Sequence, residues 1–360
     1  MPTAFDEVCE LCYRLQSGVP LEALWIKSLL WRDIVKSSAG HGVLAFIATE
    51  LRGKTLANTT GDYEALLSEY PRRVRAKNKF LAQELRRIQQ VLSREGIQSL
   101  TFKGPALAAS AYGGLDRRTC SDIDLLISPE PFVEVARILG GEGYALNTYM
   151  RGSMHQRIQR YLNRQYTFTR GRAVFHLDVH TAITSPRHGY APSFAELKSR
   201  SREVCAEGIQ LASLSPEDML LAGCYQGLKD RWRKLKHVLD IDQLVRSSEI
   251  RWPSVTTRAH DSQSVRALFV ALSLAHRLLN TPLPPELVLQ MEQDSATQKV
   301  CDWAEGALRA WPEEPIEPLW DRIQLYTNVQ DNLSGVLRYS VVGALRKVWH
   351  LYEQAYLARQ

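Results

Sequence analysis

Apolar positions in the first hundred residues recur at helical spacing. In "VCELCYRLQ", "LEALWIKSLLWRDIVKSS", "GVLAFIATELR" and "FLAQELRRIQQVLSREG" they fall at i, i+3, i+4 and i+7, which predicts helices over residues 1–96. Gly18-Val19-Pro20, Gly40 and "GKTLANTTGD" punctuate them, and Gly96 stands where a helix C-terminus favours glycine. The period then changes. "IQSLTFKG" (Ile97 to Gly104) predicts a short strand, and "PALAASAYGG" a helix opened by Pro105. "CSDIDLLIS" predicts a second strand and "PEPFVEVARILGGEGY" a second helix. Between Arg164 and Thr184 two alternating runs meet at Arg170-Gly171-Arg172, a hairpin. Phe175, Leu177 and Val179 share one face of its second arm, leaving His176, Asp178 and His180 on the other. Ser215-Pro216-Glu217-Asp218 starts a further helix. Its apolar spacing runs as one helix from Leu220 through Trp232 to Leu239, and later helices are expected near 263–280, 285–310 and 334–358.

The pattern therefore divides the chain into a helical segment (1–96), a core of alternating strands and helices (97–212) and a second helical segment (213–360). The fold class is α+β, a mixed α/β core flanked by helices.

One strand carries an anomaly. In "RRTCSDIDLLI", Asp122 and Asp124 interrupt a run otherwise suited to a buried strand, and Asp is a poor strand former. At i and i+2 they project from one face, roughly 7 Å apart along the backbone. Two unpaired carboxylates about 4 Å apart repel by about 4 kcal/mol at an effective dielectric near 20, so positive charge should lie between them. If the hairpin joins the same sheet, Asp178 adds a third carboxylate to that face. Such an oxygen-rich set suits Mg²⁺, or Mn²⁺ in its place, and divalent ions there could clamp a triphosphate. Lys103-Gly104 ends a strand just before a helix, where glycine lets a phosphate approach the backbone and the helix N-terminus offers free N–H groups. Arg118 either reaches the same cleft or pairs with a carboxylate to hold the loop.

Composition narrows the partners. A net charge of +6 and a pI of about 9.0 suit anionic partners such as nucleotides or RNA. Much of the excess lies in "PRRVRAKNKFLAQELRR" (Pro71 to Arg87), where Val74, Phe80, Leu81 and Leu85 are expected to form a buried stripe. The segment reads as a solvated helix face, with a nucleic-acid groove as the alternative. Six cysteines are too few for a disulfide scaffold at this length. Cys9 and Cys12 form a lone CxxC, read as two thiols on a helix rather than a zinc or redox pair. No apolar run reaches membrane-spanning length and the N-terminus has no signal-peptide pattern, so a cytoplasmic protein is expected.

"FKGPALAASAYGG…RRTCSDIDLLI…FHLDVHTAI" resembles the uncharacterised nucleotidyltransferase family whose pattern runs LKG-x-A-L, R-x-x-x-D-I-D-L-L-V and h-D-h-H. That family lies within the polymerase-β-like nucleotidyltransferase superfamily, alongside the AbiEii-type toxins. The likeness covers roughly residues 60–250. It implies transfer of a nucleoside monophosphate from an NTP to a hydroxyl-type acceptor, with Asp122, Asp124 and Asp178 as metal ligands. Asp178 would also activate the acceptor. Gly104 takes the place of the family's first glycine, Pro105 removes one backbone N–H beside it, and His180 matches the last motif position as a candidate substrate contact. Near residues 226–240 the family commonly carries histidines where this chain has Gln226 and Asp230, while Lys229, Trp232 and Asp240 remain. By spacing, Lys229, Arg233, Lys236 and Asp240 share one face of a continuous helix. Lys229 or Lys236 could hold the triphosphate, or the face could be a salt-bridged surface. The acceptor stays open among a small molecule, a peptide or protein, and tRNA. Two rival classes stay open: a nucleotide-binding regulatory protein without catalysis, and a toxin-like enzyme that modifies tRNA or a protein.

Overall fold

The structure, a computed structural model, describes residues 3–21, 29–54, 61–147, 164–171, 175–185, 190–311 and 325–357. Helices α1 (Ala4–Ser17), α2 (Trp31–Gly40) and α3 (Leu44–Glu50) lead into a long α4 (Gly61–Arg94). Part of the expected helix over "LEALWIKSLLWRDIVKSS" falls outside the described residues. Thr3 caps α1 through a reciprocal capping box with Asp6. Helix α4 ends as expected, with Gly96 at φ +72° and the Ile97 N–H donating back to the Leu92 carbonyl at 2.9 Å.

The core then runs β1 (Ser99–Leu100), α5 (Gly104–Ala111), β2 (Ile123–Ile127), α6 (Phe132–Gly141), β3 (Ala145–Leu146), β4 (Gln165–Arg170) and β5 (Phe175–His180). One sheet holds all five strands in the order β1-β2-β5-β4-β3. Strand β2 lies parallel to β5, and the other pairings are antiparallel. A hairpin of β6 (Arg202–Ala206) and β7 (Ile209–Ser213) docks beside β1, with the Thr101 N–H donating to the Ala212 carbonyl at 2.9 Å. The class is mixed α+β, as the alternation predicts.

Side-chain alternation sorts the sheet into two faces. Ile123, Leu125 and Ile127 of β2, with Phe175, Leu177 and Val179 of β5, join Leu81, Leu85, Ile88 and Leu92 of α4 in one apolar cluster. Leu126, on the opposite face, joins a second cluster that takes in helices from both ends of the chain. Asp124, Asp178 and His180 share that opposite face by parity. Asp124 is therefore a carboxylate at the floor of a helical layer.

Helix α7 (Phe194–Ser199) precedes the β6–β7 hairpin, and α8 (Pro216–Lys229) follows it and opens the second helical segment. Ser215 caps α8 as predicted, accepting from the Asp218 N–H. The single helix expected from Leu220 to Leu239 is instead two, α8 and α9 (Leu235–Ser247). Arg231 and Trp232 between them take left-handed φ of +55° and +50°. The reversal lets Trp232 bury completely against Gly227, where a Cβ would lie 2.3 Å from the indole ring. Burying an indole outweighs the roughly 1–2 kcal/mol cost of each left-handed residue. Helices α10 (Trp252–Asp261), α11 (Val265–Leu279), α12 (Pro285–Gln293), α13 (Ser295–Ala310) and α14 (Leu333–Leu357) complete the described chain, and α1 packs against α11 and α13.

Candidate active site

Strand pairing builds the centre. The parallel register sets Asp124 directly beside Asp178, and Leu126 beside His180. His180 Nε2 lies 2.9 Å from Asp124 Oδ1, and Lys103 Nζ lies 3.3 Å from the same oxygen. Burial alone would raise the Asp124 carboxyl, but the Lys103 ammonium and the His180 hydrogen bond outweigh it and hold it well below the usual carboxylate range. Burial in turn lowers His180, whose ring packs edge-on to Phe102 at 5.1 Å. The positive charge that the sequence demands beside Asp124 comes from Lys103.

Asp178 is held differently. It accepts from Thr167 Oγ1 at 2.6 Å and from Gln165 Nε2 at 2.7 Å, both on β4. Gln165 Oε1 accepts in turn from Lys229 Nζ at 3.4 Å, which links Lys229 to the carboxylate through one amide. Neither Gln165 nor Thr167 was among the expected site residues. Their signal was the alternation of β4, which turns both to the Asp178 face.

Asp124, Asp178 and His180 each offer a ligand atom within 4.8 Å of the other two. Two carboxylates and an imidazole fit a divalent cation, and burial, which keeps His180 neutral, favours its role as a ligand. Asp122 is not part of that group: it precedes β2, accepts from Ser121 Oγ at 2.9 Å, and lines the adjoining cavity. His176 faces solvent.

That cavity, about 990 Å³, reaches from the Lys103–Gly104 corner to α4, α8 and α9. Its lining holds nine Lys and Arg side chains against four carboxylates, which favours an anionic occupant. Gly104 has φ +56°, a conformation natural to glycine, and begins α5 with Pro105 in its first turn. A Cβ at Gly104 would lie 3.6 Å from the Asp122 carbonyl oxygen, so the two loops lie side by side.

Arg118, Asp240 and Lys236 are drawn into a buried network. Arg118 Nε and Nη2 donate to the two Asp240 oxygens at 2.7 and 2.9 Å, and Tyr112 Oη donates to Oδ1 at 2.6 Å. Arg118 therefore pairs with α9 and holds the loop leading to Asp122. Lys236 Nζ donates to the Thr119 carbonyl at 2.7 Å, and its pKa is pushed down to about 8, mainly by burial and then by Arg118. With the helix broken at 231–232, Lys229 belongs to α8 while Lys236 and Asp240 belong to α9; the shared face expected from one continuous helix does not form. Gln226 Nε2 donates to Asp230 Oδ2 at 2.7 Å, and His237 Nε2 lies 3.0 Å from the same oxygen, so a histidine does reach this wall from a later position.

The basic segment of α4 also borders the cavity, through Tyr70, Arg73 and Lys77. Cys9 and Cys12 are buried, and burial raises both thiols above their ordinary range. They serve as core residues. Among the described residues no helix is long and apolar enough to cross a membrane.

No curated protein and no solved structure matches the chain significantly. A family model described as an uncharacterised nucleotidyltransferase matches residues 27–280, a span wider on both sides than the motifs. The paired-strand carboxylates, every Lys and Arg that lines the cavity and most of the chain's length fall within that match, and the chain belongs to the uncharacterised nucleotidyltransferase family.

Proposed function

We propose that the protein transfers a nucleoside monophosphate from an NTP to a hydroxyl-type acceptor and releases pyrophosphate. The observation that carries this reading is the parallel pairing of Asp124 with Asp178, with the His180 ring 2.9 Å from Asp124, where Asp124 meets a cavity rich in cations. Asp124 and Asp178 would hold the divalent cation, Mg²⁺ or Mn²⁺, with His180 beside them and Asp122 approaching from the cavity side. Such a cation supplies charge that neutralises phosphate oxygens during displacement at phosphorus.

The chain's own residues would do the rest. Lys103, Gly104 and the first turn of α5 receive the triphosphate, although Pro105 leaves one fewer N–H there. Lys229 adds a cation on the Asp178 side. The acceptor oxygen forms a bond to the α-phosphorus while the bond from that phosphorus to the leaving pyrophosphate breaks. Asp178, fixed by Gln165 and Thr167, takes the hydroxyl proton. Arg118 and Asp240 position the Asp122 loop rather than touching phosphate. A cytoplasmic setting fits a chain that spends NTP.

Asp124→Asn tests the assignment. Pyrophosphate release from NTPs should fall by more than about 100-fold, beyond the usual effect of a supporting residue, while circular dichroism stays native. A variant with full activity would remove Asp124 from the reaction.

A further inference from the structure

One face of α4 is unexplained by the carboxylate centre. Tyr70, Arg73 and Lys77 stand at i, i+3 and i+7, and all three line the cavity. The spacing places them on one stripe about 10 Å long. Among the described residues neither Arg73 nor Lys77 has an acidic partner, whereas Arg75 and Lys79, on the neighbouring face, both reach Glu207. Arg73 and Lys77 are exposed; Tyr70 is half-buried, packed against the helical core, and lines the cavity. Asn78, next along the helix, donates to the Leu115 and Arg118 carbonyls at 2.7 and 2.6 Å. That anchor fixes the stripe against the loop that ends in Asp122. Lys103 and Lys229 are instead engaged at the Asp124–Asp178 pair, directly and through Gln165.

We propose that this stripe binds a single-stranded nucleic acid, with a base against Tyr70 and successive phosphates on Arg73 and Lys77. An aromatic followed by two cations along one line suits a strand, which repeats base and phosphate, better than a single phosphate group. The cavity lies at the upper end of the roughly 300–1,000 Å³ range of small-ligand pockets, which leaves room beside a nucleoside triphosphate. Calling the strand the acceptor rests on the nucleotidyl-transfer reading; the binding itself does not.

The test is fluorescence anisotropy with short single-stranded RNA and DNA of one sequence, titrated over a range of salt. Wild type should bind at least one of them, with affinity falling as salt rises. Arg73→Ala/Lys77→Ala should bind at least tenfold more weakly and lower the salt slope by about 1.4, from two lost phosphate contacts at roughly 0.7 each. Tyr70→Leu should weaken binding about fivefold or more. Arg75→Ala/Lys79→Ala, on the paired face, should stay within about twofold of wild type. Binding of neither strand, or equal loss in both double variants, would overturn the proposal. So would parallel loss of Mg²⁺-dependent ATP binding in Arg73→Ala/Lys77→Ala, which would assign the stripe to the triphosphate. Strand binding by a protein that binds no NTP would uphold the stripe and sink the transfer reaction instead.

Discussion

At the scale of single residues, the protein places charged and titratable groups where burial forces them to find partners. Asp124 tolerates its place in a central strand because Lys103 and His180 meet it. His41 shows the complementary case. It is 1% exposed, lies 5.0 Å from the Phe5 ring and 5.3 Å from Trp311, and its Nδ1 accepts the Leu235 N–H at 3.4 Å. Burial, then the Lys234 charge, push its pKa down from 6.5 to about 4. The folded state thus stays neutral where the unfolded chain takes up a proton. The His41 contribution is intact above pH 6.5 and is lost as pH falls toward about 4, amounting to about 3 kcal/mol at most. Urea midpoints between pH 7 and pH 4 should show that slope in the wild type and a shallower one in His41→Asn. Parallel slopes would rule out His41 as its source. The sequence makes Asp122, Asp124, Asp178, Lys103 and Gly104 visible because each breaks a local pattern. His41 breaks none, since its environment is assembled from residues far apart in the chain.

At the scale of elements, the joint between core and helical layer is the Arg118–Asp240 pair. It ties the loop before β2 to α9, and Tyr112 from the end of α5 completes it. A fully buried ion pair left with one member strands a charge. Asp240→Ala should therefore destabilise the protein by about 3–5 kcal/mol, read from chemical denaturation. A loss below about 1 kcal/mol would mean that water already reaches Arg118. Sequence spacing located Asp240 but assigned it to a continuous helix, because apolar periodicity carries through Trp232 without a break. The stop comes from tertiary packing of Trp232 on Gly227, a contact that only the folded backbone creates. The strand pattern proved more legible: alternation in β5 sorted Phe175, Leu177 and Val179 from Asp178 and His180, and the register confirms it.

At the scale of the whole molecule, function depends on where the cations gather. Net charge of +6 describes the chain, but its concentration around one cavity appears only when α4, α5, α8 and α9 converge. The segment from Pro71 to Arg87 buries Val74, Leu81 and Leu85 as its pattern suggests, but Phe80 stays 47% exposed, stacked on the Phe175 ring, and Arg73 and Lys77 turn to the cavity. Which cations of an exposed helix face a cleft depends on the packing of the helix, so periodicity alone could not select them. If Asp124 and Asp178 hold a divalent cation that receives an NTP, nucleotide binding must depend on both the cation and those carboxylates. Calorimetric titration with each NTP, with and without Mg²⁺, of the wild type and of Asp124→Asn/Asp178→Asn tests this dependence. Binding should require Mg²⁺ in the wild type and be lost in the variant. Equal binding by the folded variant, or binding indifferent to Mg²⁺, would contradict it.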